Sequence, residues 1–363
     1  MPVITSVATA VPGFSATQDE IKAAFGPLFG LEGRRFEATM SLFDNAEVGT
    51  RYSVLPLSEL VVTRSLTETM RLYADHARRL GESVARACLA QVAMSPEALD
   101  LIVSVSCTGV MIPSVDAFLM DALGTRRDVV RLPITELGCV GGAASVARAN
   151  DFLRAHPDRR ALVLAIELPS LSLQRRDVSM DNLVASALFG DGVAAVLMVG
   201  DATPEAIVAR ASPAARTGAI RIVDTLCHTR SGTTDALGFD LHEDGFHAVL
   251  AKQVAGIVRA DLYALVRRLT ERANVDPGQL GAFVFHPGGK KILGAAEEAL
   301  GLTREQTQPS WDVLRAYGNQ SSASVLFVLD RWMTARRPAR GTQGVMAAFG
   351  PGLTTELSLL EWL

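Results

Sequence analysis

Short, uninterrupted runs of apolar residues recur along the chain and alternate with stretches of helical periodicity. The runs LIVSV at 101–105, ALVLAIE at 161–167 and AFVF at 282–285 lack the apolar–polar alternation of a half-exposed strand. Strands of this kind are typical of sheets that are covered on both faces. Between them lie segments such as GGAASVARANDFL at 141–153, whose small residues favour close helix packing. The pattern predicts an α/β fold with mixed sheets around small-residue central helices.

The same order of patterns occurs twice. The stretch 92–109 aligns without gaps on 275–289, with Pro96 matching Pro277, at an offset of half the chain. A second pair, ALFGDGVAAVLMV and AAFGPGLTTELSL, shares F-G-x-G before an apolar strand, and a third pair sets ELGCVGGAASV beside YGNQSSASV. Three pairs in the same order indicate a duplication. We expect two similar halves, 1–210 and 211–363, with a boundary in the polar stretch near 200–215.

Three polar residues fall at matched corners of these halves. Cys139 opens the central helix of the first half, His286 follows the strand AFVF, and Asn319 begins the equivalent helix of the second half. A thiol reacts as its thiolate, and a helix N-terminus plus a neighbouring imidazole lowers its pKa. Imidazole and carboxamide groups donate hydrogen bonds without negative charge, so they can stabilise the enolate that forms when a malonyl thioester loses CO₂. The set predicts thioester chemistry.

Each of the three residues also has an ordinary structural interpretation. A cysteine among glycines is commonly a buried packing residue, and an asparagine before a helix is commonly its cap. A histidine in a glycine-rich loop commonly lies at the surface or caps a helix. The occurrence of all three at repeat-related corners favours catalysis over these interpretations.

Composition restricts the other possibilities. The chain has 363 residues, of which 48% are hydrophobic and 20% charged, and its formal net charge of −4 gives no basic footprint for nucleic acid. No apolar run reaches the roughly 18 residues of a membrane-spanning helix, and the N-terminal segment lacks the basic lead of a signal peptide. The four widely spaced cysteines form neither a disulfide framework nor a zinc motif. We therefore expect a cytoplasmic protein without a metal site.

Several motifs together resemble one enzyme family. These are ELGCVGGAAS around Cys139, FHPGGKKIL around His286, YGNQSSASVLFVLDRW around Asn319 and AFGPGLTTELSLL near the end. They resemble the chalcone synthase-like type III polyketide synthases over most of the chain beyond about residue 70, and the first 70 or so residues match loosely. The resemblance implies a thiolase-like fold with αβαβα layers and a homodimer. It also implies iterative decarboxylative condensation on coenzyme A thioesters, without a carrier protein or a bound cofactor.

The resemblance assigns roles residue by residue. Cys139 would be acylated by the starter and hold the growing chain, while His286 would pair with the thiolate. Together with Asn319, His286 would orient malonyl-CoA and stabilise its enolate. Phe189 and Phe246 fall at the two gatekeeper positions between the coenzyme A tunnel and the acyl cavity, the alternative being ordinary core packing. Further cavity positions implied in the same way are Ser172, Ser321 and the loop residues Gly350, Pro351 and Gly352, which border the cyclisation pocket.

Some positions depart from the usual family residues. Cys107 stands where plant members usually carry threonine, so it is expected to line the cavity as a shape-determining residue or as a second reactive thiol, the alternative being a buried packing residue. Ile112 replaces the methionine that commonly reaches across the dimer, and we expect a cross-dimer contact of different shape. The N-terminal lysines that commonly meet coenzyme A phosphates are not evident. Arg51, Lys290 and Lys291 are expected to replace them, although a solvated pair is the alternative for the lysines.

The expected reaction is condensation of malonyl-CoA onto an acyl-CoA starter, with a long fatty acyl chain favoured, and cyclisation to a pyrone or resorcinol. One alternative is a tetrahydroxynaphthalene-type synthase that uses malonyl-CoA alone. Others are a ketosynthase III that condenses once onto a carrier protein, and a non-catalytic partner subunit. HPGG in place of His-x-x-Asn argues against ketosynthase III, and no convincing general-acid glutamate supports a hydroxymethylglutaryl-CoA synthase. The presence of Cys139, His286 and Asn319 argues against a non-catalytic subunit.

Overall fold

The computed structural model describes residues 1–211 and 218–363 as alternating strands and helices. The strands in these ranges are β1 (Val3–Ala10), β2 (Phe14–Thr17), β3 (Thr50–Ser53), β4 (Leu101–Val105), β5 (Val130–Ile134), β6 (Arg160–Glu167), β7 (Gly192–Val199), β8 (Ile220–Thr229), β9 (Leu237–His242), β10 (Gly245–Leu250), β11 (Ala282–Phe285), β12 (Gln343–Gly350) and β13 (Thr354–Trp362). The helices are α1 (Gln18–Phe25), α2 (Gly33–Asp44), α3 (Leu57–Leu60), α4 (Leu66–Ala90), α5 (Val115–Leu123), α6 (Gly141–Ala155), α7 (Met180–Leu188), α8 (Pro204–Ala211), α9 (Val254–Arg272), α10 (Lys290–Leu300), α11 (Gln308–Tyr317) and α12 (Ser324–Thr334).

One mixed sheet runs through the whole molecule. Its strand order within the described ranges is β11-β12-β13-β8-β1-β7-β6-β4-β5. The sheet has two parts, which meet where β1 pairs with β8 through Val3 opposite Arg221 and Ile4 opposite Ile220. This short pairing at the centre of the molecule joins the two parts into one continuous sheet.

The two parts of the sheet repeat one topology. In the first, β4 is parallel to β6, and β6, β7 and β1 follow as antiparallel neighbours. In the second, β11 is parallel to β12, and β12, β13 and β8 follow as antiparallel neighbours. The 3₁₀ turns Pro96–Ala98 and Pro277–Gln279 precede the equivalent strands β4 and β11. The predicted duplication of the α/β architecture is confirmed.

Helices α6 and α12 lie side by side between the two parts of the sheet. Their close approach depends on Gly142, because a Cβ atom there would come within 2.1 Å of the Ser322 carbonyl oxygen. Residues of both helices share one apolar core with inward-facing residues of both sheet parts, among them Val146, Val325 and Met346. Helices α4 and α5 cover the outer face of the first part, and α9 and α10 cover that of the second. The αβαβα arrangement around small-residue central helices is therefore as predicted.

A smaller layer of N-terminal elements covers one side of this body. Strands β2 and β3 pair with each other, and Thr17 caps α1 in a reciprocal capping box with Glu20. Phe25 of α1 and Phe43 of α2 pack against Leu183 of α7 in a satellite apolar cluster. The N-terminal layer is thereby fixed to α7, the helix that leads to Phe189.

The expected boundary between the halves 1–210 and 211–363 falls at the end of α8. Residues 212–217 of the boundary region lie outside the described residues, and the division into two domains stays a prediction. In the described part of the chain, no helix combines the length and apolarity needed to cross a membrane.

Candidate active site

Cys139 lies on a tight turn directly before the central helix α6. The turn is the 3₁₀ segment Gly138–Val140, and Gly138 has a φ of 53°, in the left-handed region that favours glycine. A Cβ atom at Gly138 would lie 2.6 Å from Cδ of Pro351, so the close approach also excludes a side chain. The thiol is thus presented at the N-terminal end of a buried helix.

His286 directly follows β11, and its backbone N–H continues the pairing by donating to the Ala347 carbonyl at 2.9 Å. Its side chain is 2% exposed, and Nδ1 has no hydrogen-bond partner among the described residues. Burial lowers the pKa of His286 to about 3. The imidazole is therefore neutral near pH 7 and can accept a proton.

Asn319 is held by its own backbone and by its carbonyl oxygen. Its N–H donates to the Leu188 carbonyl at 2.9 Å, and it forms a bridge with Phe189. Its Oδ1 accepts hydrogen bonds from the Ser321 N–H at 2.8 Å and the Ser324 hydroxyl at 3.3 Å. With both partners on Oδ1, the amide is oriented so that Nδ2 lies 3.5 Å from the Gly288 carbonyl, beside His286. The carboxamide is thus fixed as a hydrogen-bond donor.

The structure brings Cys139, His286 and Asn319 to the wall of one cavity of about 80 Å³, which we call the Cys139 cavity. The rest of its wall is mainly apolar and includes Phe189 and Phe349. Burial raises the pKa of Cys139 to about 11, whereas the Ser321 hydroxyl, 3.6 Å from Sγ, opposes this shift. The sequence predicted a lowered thiol pKa, and burial outweighs that effect. Thiol and imidazole are therefore both neutral at pH 7.

A buried polar cluster behind the thiol contains a residue that the sequence analysis missed. The carboxylate of Glu167 accepts hydrogen bonds from the Cys107 N–H at 3.2 Å, from the Thr108 hydroxyl at 2.7 Å and from the Ser322 hydroxyl. Burial raises its pKa, and these donors oppose the shift. A carboxylate at the end of the apolar run ALVLAIE is unusual in a buried strand, and that signal could have identified it.

Ser321 connects this cluster to Cys139. Its hydroxyl lies 3.2 Å from the Cys107 sulfur and 3.6 Å from the Cys139 sulfur. Its φ of 49° places the residue in the left-handed region, which is uncommon for serine and is often found at functional sites. Cys107 was expected in a cavity wall, but it lies behind Ser321, the residue that faces the larger cavity.

A larger cavity of about 180 Å³, which we call the Phe246 cavity, adjoins the first. Phe189 lines both cavities, and Phe246 and Ser172 line the larger one. Phe239, which sequence reasoning missed, also lines both and contacts Phe246 edge to face with ring centroids 6.2 Å apart. Phe239 lies in a weakly patterned stretch, and only its pairing partner β10 brings it to the cavity.

The loop at Gly350, Pro351 and Gly352 packs against the turn that carries Cys139. Pro351 lines the Cys139 cavity, and a Cβ atom at Gly350 would lie 2.6 Å from the Leu137 carbonyl oxygen. The carbonyl of Gly352 accepts a hydrogen bond from the Thr233 hydroxyl at 3.2 Å. Of these three residues, only Pro351 belongs to the wall of the Cys139 cavity. The two glycines allow the loop to approach the turn that carries Cys139.

The basic residues expected at coenzyme A differ in their surroundings. Lys290 and Lys291 begin α10, four and five residues after His286, and neither forms a salt bridge within the described residues. Arg51 is buried, and its Nη1 donates to the carbonyls of Ser186 at 2.7 Å and Phe189 at 2.9 Å. Its guanidinium is directed inward, where it holds the end of α7 and lines the Phe246 cavity, and its role at coenzyme A stays a prediction.

Ile112, expected to contact a second copy of the chain, is 94% exposed. It lies between β4 and α5, beside Val110, which is also exposed. Two exposed apolar side chains therefore lie close together in the segment between β4 and α5.

Comparisons with known proteins agree with this geometry. The chain matches the family described as chalcone and stilbene synthases, in its N-terminal domain over residues 44–204 and in its C-terminal domain over residues 226–363. The 1,3,6,8-tetrahydroxynaphthalene synthase of Streptomyces peucetius subsp. caesius is 37% identical over 361 residues, 99% of this chain and 93% of the relative. The alpha-pyrone synthesis polyketide synthase-like Pks18 of Mycobacterium tuberculosis is 28% identical over 366 residues, 99% of this chain and 91% of the relative.

A solved structure covers the chain to the same extent. The crystal structure of 1,3,6,8-tetrahydroxynaphthalene synthase from Streptomyces coelicolor A3(2), a bacterial type III polyketide synthase, matches with a TM-score of 0.90 at 29% identity over 99% of each chain. The thiolase-like fold and the resemblance seen in the sequence are both confirmed. The chain therefore belongs to the chalcone and stilbene synthase family and is a type III polyketide synthase, an acyl-transferring enzyme.

Proposed function

We propose that this enzyme extends a thioester held on Cys139 by repeated decarboxylative condensation with malonyl-CoA. The observation that carries the proposal is the convergence of a thiol, a neutral imidazole and an oriented carboxamide on the Cys139 cavity. These three groups supply a nucleophile, a base and hydrogen-bond donors, so the reaction needs coenzyme A thioesters and no further cofactor.

The first step is acylation of Cys139. The neutral imidazole of His286 takes the thiol proton, and the thiolate attacks the carbonyl carbon of the incoming thioester. A new carbon–sulfur bond forms to Cys139, the bond to coenzyme A breaks, and the coenzyme A sulfur leaves with the proton from His286. Burial makes it costly to charge either the Cys139 thiol or the His286 imidazole alone. The thiolate and the imidazolium form together as a pair with no net charge, so each offsets the cost of the other.

The second step is formation of the enolate. The malonyl carboxylate leaves as CO₂, and the electron pair of the broken bond moves to the carbonyl oxygen of the thioester. Nδ2 of Asn319 and a protonated ring nitrogen of His286 donate to this oxygen, where the charge develops. The enolate carbon then attacks the thioester on Cys139, a carbon–carbon bond forms and the Cys139 thiolate is released. The apolar neighbours Phe189 and Phe349 exclude water and strengthen these hydrogen bonds.

Lys290 and Lys291 are proposed to attract the phosphates of coenzyme A. The first turn of α10 carries these two cations and no acidic residue, an arrangement opposite to the one that the helix dipole favours. The lysines and the dipole together therefore create a positive potential close to His286. This potential suits a polyanionic tail whose thioester end reaches the Cys139 cavity.

Two starters are candidates. The first is malonyl-CoA itself, with a tetrahydroxynaphthalene-type product, because relatives of that name are 37% and 31% identical to this chain. The second is an acyl-CoA, with an alkylpyrone or alkylresorcinol product, as the sequence led us to expect. The Phe246 cavity favours this second candidate, since it continues away from Cys139 between apolar residues. They are Phe14, Ile21, Phe25, Leu57 and Leu60.

A product screen by mass spectrometry tests both the reaction and the starter. Purified enzyme is given malonyl-CoA alone and then malonyl-CoA with acetyl-, hexanoyl- or palmitoyl-CoA, with Cys139→Ala as the inactive control. An aromatic product from malonyl-CoA alone supports the first candidate, and alkylated pyrones or resorcinols support the second. Folded enzyme that yields no polyketide from any mixture would contradict the proposal and favour a carrier-dependent ketosynthase or a partner subunit.

A cavity-filling variant separates the two starters further. Leu57→Trp narrows the Phe246 cavity, and we expect it to abolish incorporation of palmitoyl-CoA while leaving malonyl-primed turnover within about threefold. The matched control is Leu241→Trp, because Leu241 is 65% exposed and lines neither cavity. Equal palmitoyl incorporation in both variants would show that the acyl chain lies elsewhere.

We also propose that the enzyme is a cytoplasmic homodimer in which Ile112 contacts the second copy. All four cysteines are free, as is usual in a reducing compartment, and Ile112 is the most exposed of the large apolar residues described. Sedimentation analysis of wild type and Ile112→Asp tests the dimer: we expect the charged variant to shift towards monomer, and an unchanged distribution would place the interface elsewhere.

A further inference from the structure

The β9–β10 hairpin separates its polar and apolar residues onto opposite faces. In its register Asp240 faces His247 and His242 faces Gly245, so these four residues share one face. Phe239, Phe246 and their partners lie on the other face, which contributes to the Phe246 cavity. The histidine face plays no part in the proposed condensation.

Three side chains at the hairpin tip converge on one point. The ligand atoms of His242, Asp244 and His247 all lie within 4.8 Å of one another. The centroids of the two imidazole rings are 4.3 Å apart with an angle of 33° between the ring planes, and Nε2 of His247 is 2.9 Å from Oδ1 of Asp244. The tight turn at Glu243 and Asp244, between the two strands, brings the carboxylate close to both histidines. Two imidazole nitrogens and one carboxylate oxygen form a three-ligand set that Zn²⁺ accepts, with water as its fourth ligand.

A further carboxylate fixes the orientation of His247. Nδ1 of its ring lies 3.1 Å from Oδ2 of Asp177, whose Oδ1 accepts a hydrogen bond from the Ser179 N–H at 2.8 Å. His247 and Asp177 are both largely buried, with side-chain exposures of 21% and 17%. With Nδ1 held by this carboxylate, Nε2 is left on the side of Asp244, where an ion would replace the hydrogen bond between them. A carboxylate on the second ring nitrogen is the usual arrangement of metal-bound histidines.

We propose that the hairpin tip is a binding site for a divalent transition-metal ion of the Zn²⁺ type, with His242, Asp244 and His247 as ligands and Asp177 as the outer carboxylate. The ion joins both strands of the hairpin and, through Asp177, the segment before α7. Below the tip the hairpin is attached by hydrogen bonds from Gln174 to the Phe246 carbonyl and from the Leu250 N–H to Asp181. Bound metal therefore rigidifies the element that carries Phe239 and Phe246.

Calorimetric titration of the full chain with Zn²⁺ tests the site. The protein is first treated with EDTA and exchanged into metal-free buffer, and the variants are His242→Ala, His247→Ala and the control His76→Ala, a half-buried histidine on α4. We expect both hairpin variants to bind one equivalent less than wild type and the control to match wild type. Any Zn²⁺ that binds to the cysteine thiols adds the same number of equivalents to wild type and to all three variants, so it does not affect the comparison. Equal stoichiometry in all of them would overturn the proposal and leave a hydrogen-bonded His–Asp cluster only.

Two further measurements separate a metal site from a structural cluster. Asp177→Asn should weaken Zn²⁺ binding about 10–100-fold without changing its stoichiometry, because the outer carboxylate only orients His247. Amide exchange in residues 237–250 should slow on addition of Zn²⁺ in wild type and in His76→Ala, but not in His242→Ala. Exchange that slows equally in His242→Ala would contradict the site even if the protein binds zinc elsewhere.

Discussion

The two halves of this enzyme place different chemistry on the same scaffold. In the first half, the turn before α6 carries the thiol of Cys139. In the second half, the turn before α12 carries the carboxamide of Asn319, and the end of β11 carries His286. The equivalent strand end in the first half, after β4, leads to Cys107 and the buried Glu167 cluster.

This difference shows how a duplicated fold acquires an asymmetric site. The two helix starts meet through Gly142 and Ser322 at the centre of the molecule, so side chains from both halves reach one cavity. In the proposed mechanism, the first half offers the group that forms a covalent bond, and the second offers the groups that move a proton and donate hydrogen bonds. Neither half contains a complete set, and the following predictions test the two sides of that division and the contact between them.

The largest effect is expected at Cys139 in the first half, and a much smaller one at Cys107. Cys139→Ala should reduce condensation by about 10³-fold or more, since the chain loses its covalent attachment. Cys107→Ser, behind Ser321, should retain turnover within about tenfold and shift the product distribution. Rates of product formation by mass spectrometry, with circular dichroism to confirm folding, provide the comparison. Loss of activity in Cys107→Ser equal to that of Cys139→Ala would contradict the assignment of a single nucleophile.

A second effect is expected at the carboxamide of the second half. Asn319→Asp keeps the shape and the oxygen that accepts from Ser321, but it replaces the Nδ2 donor with an oxygen. Condensation should fall by about 10²–10³-fold, the usual loss for one donor to a developing oxyanion. Acylation of Cys139 should stay close to wild type, since it precedes the enolate. A variant that condenses at the wild-type rate would exclude Asn319 from enolate stabilisation.

The contact between the halves predicts a change in stability. Gly142→Ala places a methyl group against the Ser322 carbonyl and should lower the free energy of unfolding by about 1–3 kcal/mol. Gly256→Ala is the matched control, because that glycine lies in α9 with nothing within 4 Å of the added methyl group. Alanine there should raise the free energy of unfolding by about 0.5–1 kcal/mol. Urea denaturation measures both, and equal effects would remove the argument for close packing of α6 on α12.

The last effect builds up gradually as the pH falls and concerns the pH dependence of folding. Burial lowers the pKa of His286 to about 3, below the value of about 6.5 expected in the unfolded chain. Between these two pH values, only the unfolded state binds a proton on His286. The free energy of unfolding of wild type should therefore fall by about 1.4 kcal/mol for each pH unit below 6.5, relative to a variant without this imidazole. Wild type minus His286→Gln, measured by urea denaturation from pH 7 to pH 4.5, should show this slope. A flat difference would mean that His286 titrates normally.

Much of the fold and of the candidate site can be predicted from the sequence. The offset between the halves places LIVSV and AFVF on equivalent strands, and the motifs around Cys139, His286 and Asn319 identify the corners. These features depend on local patterns, namely apolar runs, small residues at a helix start and polar residues at strand ends. The family and the fold could be predicted for the same reason.

Other features depend on contacts between distant segments. Glu167 belongs to the site because Thr108 and Ser322 donate to it, and Phe239 belongs because β9 pairs with β10. The surroundings of Arg51 depend on such contacts too, because its charge in the sequence does not show that the side chain is buried beneath α7. Its expected role at coenzyme A stays a prediction. The metal-ligand set on the hairpin depends on a turn and a register that local pattern does not specify.

Peptide mapping of the acylated enzyme tests the central claim most directly. Wild type is incubated with acyl-CoA and then with malonyl-CoA, quenched in acid and digested with trypsin. Trypsin places the two cysteines on different peptides, because Cys139 lies between the cleavage sites Arg131 and Arg148. Cys107 lies between the cleavage sites Arg86 and Arg126. We predict acyl and extended polyketide masses on the Cys139 peptide, absent from Cys139→Ala. Acyl masses on the Cys107 peptide, or an unmodified Cys139 peptide during turnover, would contradict the account.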